Sequence, residues 1–293
     1  MRHRIAFIIR AVAVAAAFAV STSASVSITS CNPTFTASTS GTTYIVTAPL
    51  TAASGANCID VTGRGITIQL NGMTLTGKGS GGIGIAISAK AVGTYVESGT
   101  VQKFAIGIQD LGDSARIESV ELTANTTDGV ELSGVDGSIV AGSNITGNGQ
   151  NGVELVNARN CLVQHNPQIS MNGQLGVWIH DTATPKLPSD NVVAVNELNG
   201  NGTAGVEVGN GNCFSTSDSE GNLIAGNGLP LQNGNYGIIL DCHTGTGSEV
   251  LGNVLGPGVG SIDDLFDATY DPSCDSNTWV GNTFTKANQT CIH

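Results

Sequence analysis

The chain has 293 residues, 40 of them glycine, with 11 Lys and Arg against 23 Asp and Glu and a net charge of −12. That length suits one globular core or one repeat array. An acidic surface repels nucleic acid and anionic lipid, so neither is an expected partner, and beyond the N-terminus no apolar stretch is long enough for a membrane span.

In chain order, residues 1–24 read as a secretory signal peptide: a basic start, the apolar run "AVAVAAAFAV" at 11–20, and small residues ending near Ala24. Its removal takes Arg2, Arg4 and Arg10 and no acid, which leaves 8 basic against 23 acidic residues, a net −15. The mature chain is therefore expected outside the cytoplasm, extracellular or periplasmic. The "ITSC" at 28–31 loosely resembles a lipoprotein cleavage box, but the polar "STSASVS" before it argues against lipidation. Seven cysteines in an exported chain suggest disulfides with one thiol left over. Position suggests Cys31–Cys58, Cys213–Cys242 and Cys274–Cys291, leaving Cys161 buried.

Residues 25–61 read as an N-terminal cap with the first strands, 62–261 as repeats, and 262–293 as a C-terminal coil and cap. The repeat is Gly-hydrophobic-x-hydrophobic, as in "DGVELSG", "NGVELVN" and "GVWIHD", marked by Gly84, Gly107, Gly129, Gly152, Gly176, Gly205 and Gly237 at spacings of 23, 22, 23, 24, 29 and 32. Short apolar runs ending in Asn, such as "NVVAVN" and "NLIAGN", recur between the markers. Strand alternation points the hydrophobic residues one way and x the other. Strands this short gain stability only by stacking in register at ~4.8 Å, which buries a continuous aliphatic core. Asparagines recurring at one turn are expected to form a ladder, and glycines to serve turns of positive φ. The expected architecture is all-β: a parallel β-helix of roughly ten coils with disulfide-closed ends.

The segment "GITIQLNGMTLTGKGSGGIGI", residues 65–85, and the later Asn/Gly-rich coils resemble secreted right-handed β-helix proteins of the pectin-lyase-like superfamily, over about residues 41–285. The resemblance implies the right-handed fold and no single activity, because that superfamily holds lyases, hydrolases, epimerases, phage tailspikes and non-catalytic surface proteins. Polygalacturonase motifs are absent beyond a loose "NTTDG" at 125–129, the epimerase Asp-Pro-His-Glu is absent, and no arginine follows Arg159 to act as a pectate-lyase base.

What remains is the outward x column, Gln109, Glu131, Glu154, Trp178, Glu207 and Ile239, with a second column two residues on, Ser133, Val156, His180, Gly209 and Asp241. The columns meet at "VWIHD", before the insertion at 182–191. Glu154, His180 and Glu207 are the candidate catalytic residues. Glu131, Trp178, Asp181 and Lys186 are the candidate substrate contacts: an indole face for a sugar ring, with carboxylates and His for hydroxyls. Glu131 and Glu154 on adjacent coils stand near the spacing of a retaining glycosidase pair, and Glu154 and Glu207, two coils apart, near that of an inverting pair. A lyase needs a base instead, from His180, Lys186 or Arg159, and a cation to neutralise the uronate. Calcium is the candidate ion, held by Asp181 and Glu154 or by the acid-rich run 263–275. His165 reads as structural. The expected function is an exported protein that binds a polysaccharide on this face, with cleavage as lyase or hydrolase; the alternative is a non-catalytic surface, adhesive or structural β-helix.

Overall fold

The structure, a computed structural model, describes residues 25–79, 81–182, 188–209, 221–241, 247–268, 274 and 277–293. Lys186, Cys213 and Cys242 lie outside the described residues. The described residues contain strands and no helix, and every pairing between strands is parallel: a 10-stranded sheet runs in sequence order from Phe35–Ala37 to Asp263–Asp267, one strand per coil, or about nine full turns. A 16-stranded sheet, with its main path from Ser25–Ile28 to Thr278–Val280, closes the other side. No described helix is long and apolar enough to cross a membrane.

Alternation builds the core. In Val130–Ser133, Val153–Val156 and Leu175–His180 the residues Val130, Leu132, Val153, Leu155, Val177 and Ile179 are fully buried, and the residues between them face out. Each such aliphatic side chain contributes about 1.5–3 kcal/mol on burial. Residues 25–61 already run on the ladders, since Ser25–Ile28 pairs with Thr43–Val46 and Phe35–Ala37 with Ile59–Val61.

The repeat glycine has a different cause from the one expected. None of the seven marker glycines has positive φ. Each is packed against the next coil: a Cβ on Gly129 would stand 2.7 Å from the Gly152 carbonyl oxygen and 2.4 Å from Ile145, and a Cβ on Gly152 would stand 2.6 Å from the Gly176 oxygen. Only a residue without a side chain lets the backbones approach this closely. Positive φ falls instead at other turn residues, including His165 and Val195.

Asparagines stack in two long ladders. In one, Asn125, Asn148, Asn172 and Asn201 each donate from Nδ2 and backbone N to Oδ1 of the next member, ending on Asn233. The second runs from Asn166 through Asn196, Asn227 and Asn253 to Asn282. Members also donate to a carbonyl on an earlier coil, Asn172 Nδ2 to Ile145 O for example, so the turn's buried polar groups are satisfied.

Disulfides join Cys31 to Cys58 and Cys274 to Cys291, one near each end. Cys161 is a buried free thiol whose Sγ donates to Arg159 O, and burial pushes it up to about 12, which makes it a packing residue. Of the acids in the 263–275 run, Asp263, Asp264 and Asp267 are strand residues, and Asp271 and Asp275 lie outside the described residues. Asp264 and Asp267 are fully buried: Asp264 accepts from Gly260 N, Thr285 N and Oγ1, and Lys286 N, and Asp267 from Asn277 Nδ2 and Trp279 Nε1. Their oxygens hold the C-terminal coil together, so they offer no coordination shell for calcium.

Candidate functional site

Register places the x column on the outer face of the 10-stranded sheet. Gln109 pairs with Glu131, Glu131 with Glu154, Glu154 with Trp178, Trp178 with Glu207, Glu207 with Ile239 and Ile239 with Phe266. His180 follows in the second column, opposite Val156. Glycine then adds a third column that the sequence reading missed. The residue before each marker faces outward too: Asp128 and Asn151, then Leu175, Ala204, Tyr236 and Asp263 in register. Asn151 N donates to Asp128 Oδ1, which fixes those two coils against each other.

The columns converge on three carboxylates. Single oxygens of Asp128, Glu131 and Glu154 all lie within 4.8 Å of one another. Glu154 Oε1 is hydrogen-bonded to His180 Nε2 at 2.7 Å, and His180 Nδ1 lies 3.2 Å from the Asp181 carbonyl oxygen. A carbonyl oxygen only accepts, so Nδ1 carries a proton, and both ring nitrogens are engaged. Burial, with the Glu154 charge beside it, raises Asp128 to about 7. Burial also raises Glu131, against the Gln109 Nε2 bond of 3.1 Å that lowers it.

Trp178 is half-buried. Its ring stacks on His180 with centroids 3.6 Å apart and planes at 16°, and its Nε1 donates to Gly209 O at 2.8 Å. Behind it Leu175, Ala204 and Ile239 are buried in an apolar cluster separate from the main core, together with Tyr236 and Phe266. On the far side of Trp178, Glu207 is raised to about 8, by burial first and then by the Asp241 carboxyl to which it is hydrogen-bonded.

The structure therefore gathers Glu131, Glu154, Trp178, His180 and Glu207 on one face and adds Asp128, Asp241, Tyr236 and Phe266. Asp181 is buried at 5% exposed and meets the site through its backbone carbonyl. Arg159 lies in a turn, bridged to Asp136 and Ser189. An apolar concavity of about 760 Å³ lies elsewhere, lined by His165, Val195, Glu197, Pro230 and Val254, without a cluster of ionisable groups. Chemically, the face offers two half-buried carboxyls on adjacent coils, a histidine that orients one of them, and an aromatic strip.

The sequence pattern of the family described as "Right handed beta helix region" matches residues 84–255. Among curated proteins none matches the sequence significantly. Among solved structures, the Dettilon tailspike protein (gp208) aligns with TM-score 0.61 at 16% identity over 91% of this chain and 59% of its own. The enzymatically active domain of bacteriophage CBA120 tailspike protein 2 aligns with TM-score 0.61 at 13% over 79% and 38%, and the periplasmic alginate epimerase AlgG with TM-score 0.55 at 14% over 86% and 73%. The chain spans less than two thirds of either tailspike's length, and at these identities the likeness is one of fold.

Proposed function

Because the chain belongs to the right-handed β-helix family, whose fold neighbours here include an alginate epimerase and an enzymatically active tailspike domain, we propose that it is an exported protein that binds a polysaccharide along the outer face of the 10-stranded sheet and hydrolyses it. Two disulfides suit an oxidising compartment.

The observation that carries cleavage is the pair Glu131 and Glu154. Their backbones are in register on adjacent coils, their oxygens lie within 4.8 Å, and their surroundings differ. Glu154 is anchored by His180 Nε2 at 2.7 Å and hydrogen-bonded to Asp128, whose own proton is held up to about pH 7. Glu131 is held toward its protonated form. Glu131, which holds its proton, takes the role of acid, and Glu154, oriented by His180, that of nucleophile. The spacing suits a retaining pair, about 5–5.5 Å, rather than an inverting one, about 6.5–9.5 Å.

In the first step Glu131 gives its proton to the glycosidic oxygen while Glu154 bonds to the anomeric carbon and the leaving sugar departs. In the second, Glu131 takes a proton from water, the water oxygen bonds to that carbon and Glu154 is released. His180 is a positioning residue in this scheme, since both its nitrogens are engaged. Trp178, Tyr236 and Phe266 supply apolar surface for sugar rings.

The test is a screen of residues 25–293 against neutral, amino and uronate polysaccharides, reading new reducing ends and ultraviolet absorbance together. Reducing ends without absorbance support hydrolysis. Absorbance makes the protein a lyase, and silence from a folded protein returns the reading to a non-catalytic glycan binder.

A further inference from the structure

We propose that this face selects a positively charged glycan, one bearing free amino groups, whose ammonium groups are received by Glu207 with Asp241 on one side of Trp178 and by Asn151 Oδ1 beside the carboxylate cluster on the other. The inference rests on the glycan reading above and names its substrate class.

Charge along the face is one-sided. The three outward columns between Gln109 and Phe266 carry Asp128, Glu131, Glu154, Glu207 and Asp241, with Asp263 paired to Lys286 at 3.5 Å, and their own single basic side chain is His180, already engaged with Glu154. Glu207 and Asp241 are bonded carboxyl to carboxyl, an arrangement that an incoming cation relieves. A uronate polymer meets repulsion here.

A second, independent feature asks for a donor. Asn151 is 1% exposed, and its Oδ1 has no hydrogen-bond partner. It stands one coil above Asp128, in the same column, and three residues before Glu154, as Asp128 stands three before Glu131. A buried amide oxygen left without a donor costs about 1–3 kcal/mol. An ammonium brings three donors and no acceptor, the complement of an amide oxygen among carboxylates.

Aromatic surface separates an organic cation from a metal ion. A hard divalent cation takes oxygen ligands and gains nothing from rings. A protonated amino sugar uses both, its charge meeting carboxylates and ring faces while its carbon skeleton covers Trp178, Tyr236 and Phe266. The charged and aromatic groups also extend over the coils from Asp128 to Phe266, the reach of an oligosaccharide rather than of one ion.

The experiment is calorimetric titration of residues 25–293 at pH 6 with a glucosamine hexasaccharide, its fully N-acetylated counterpart and a uronate hexasaccharide, each in chelator and in calcium, at low and high salt. The glucosamine oligomer is expected to bind at least tenfold more tightly than the N-acetylated one, with an advantage that shrinks in high salt. Glu207→Gln and Asn151→Leu, each checked for folding by circular dichroism, are expected to remove most of that advantage. Equal or tighter binding of the N-acetylated oligomer overturns the proposal, as does tight uronate binding that requires calcium. Cleavage of neutral and amino glycans alike overturns the charge preference and leaves the hydrolase reading standing. Preferential binding of the amino oligomer without cleavage does the reverse, and failure to bind any of the three ends both.

Discussion

His180 Nε2 lies 2.7 Å from Glu154 Oε1, joining two coils whose strands are already paired in register. A histidine engaged at both ring nitrogens holds its carboxyl partner in place. Glu154→Gln is expected to abolish turnover, while His180→Gln, which keeps a hydrogen-bonding group but loses the stack on Trp178, lowers kcat by roughly a hundredfold with little change in KM. Reducing-end kinetics on both variants check this; a His180→Gln enzyme of parental kcat would remove the positioning role.

Glu207 makes stability depend on pH in a set direction. Its native value of about 8 lies above the ordinary 4.5, so between those values the unfolded chain releases a proton that the native state keeps. Native stability therefore falls as pH rises from about 4.5 to 8. Glu207→Gln removes this penalty and is expected to be more stable than the parent by on the order of 2 kcal/mol at pH 8, with the difference gone at pH 4. Urea unfolding at the two pH values measures it, and an equal gap at both contradicts the shared-proton arrangement.

The marker glycines predict a steep response to a single methyl group. Gly152→Ala sets a Cβ 2.6 Å from both the Gly176 oxygen and Ile169 Cγ2, neither of which can move without parting the coils. A loss of about 3 kcal/mol is expected from chemical denaturation.

Asn172 sits mid-ladder, accepting from Asn148 N and Nδ2 and donating to Ile145 O and Asn201 Oδ1. Asn172→Ala leaves Asn148 N without its acceptor and takes one bond each from Asn148 Nδ2, Ile145 O and Asn201 Oδ1, and is expected to cost about 3 kcal/mol, more than Asn282→Ala at a ladder's end. Comparing the two denaturation midpoints tests whether position in the stack sets the cost.

Val195 offers a gain. It is a β-branched residue at φ 56°, half exposed, in a backbone region that penalises its side chain. Val195→Asn is expected to stabilise by about 1 kcal/mol, read from the thermal midpoint.

Strand period and a fixed glycine were enough to order the x column from Gln109 to Ile239, because each glycine pins its strand and the side-chain alternation then leaves no choice of register. The Cys31–Cys58 and Cys274–Cys291 pairs were legible from their positions near the ends. Asp128 and Tyr236 were not. They precede the glycine that appeared to start the strand, and only the close stacking of that glycine turns the residue before it onto the outer face. The acids of 263–267 were misleading for the opposite reason: a run of charge reads as surface, yet Asp264 and Asp267 are enclosed by backbone and side-chain donors supplied by residues 260–286, which no local pattern reveals.

The asparagine ladders also bear on how such a chain changes length. Each member bonds identically to the one above and the one below, so a whole coil can be inserted or removed and every amide still finds its neighbour, whereas a fraction of a coil breaks both stacks at once. Viable lengths are therefore quantised. An outer face built on this scaffold grows or shrinks in steps of ~4.8 Å, and its reach along a polymer is set by counting coils rather than by remodelling any one of them.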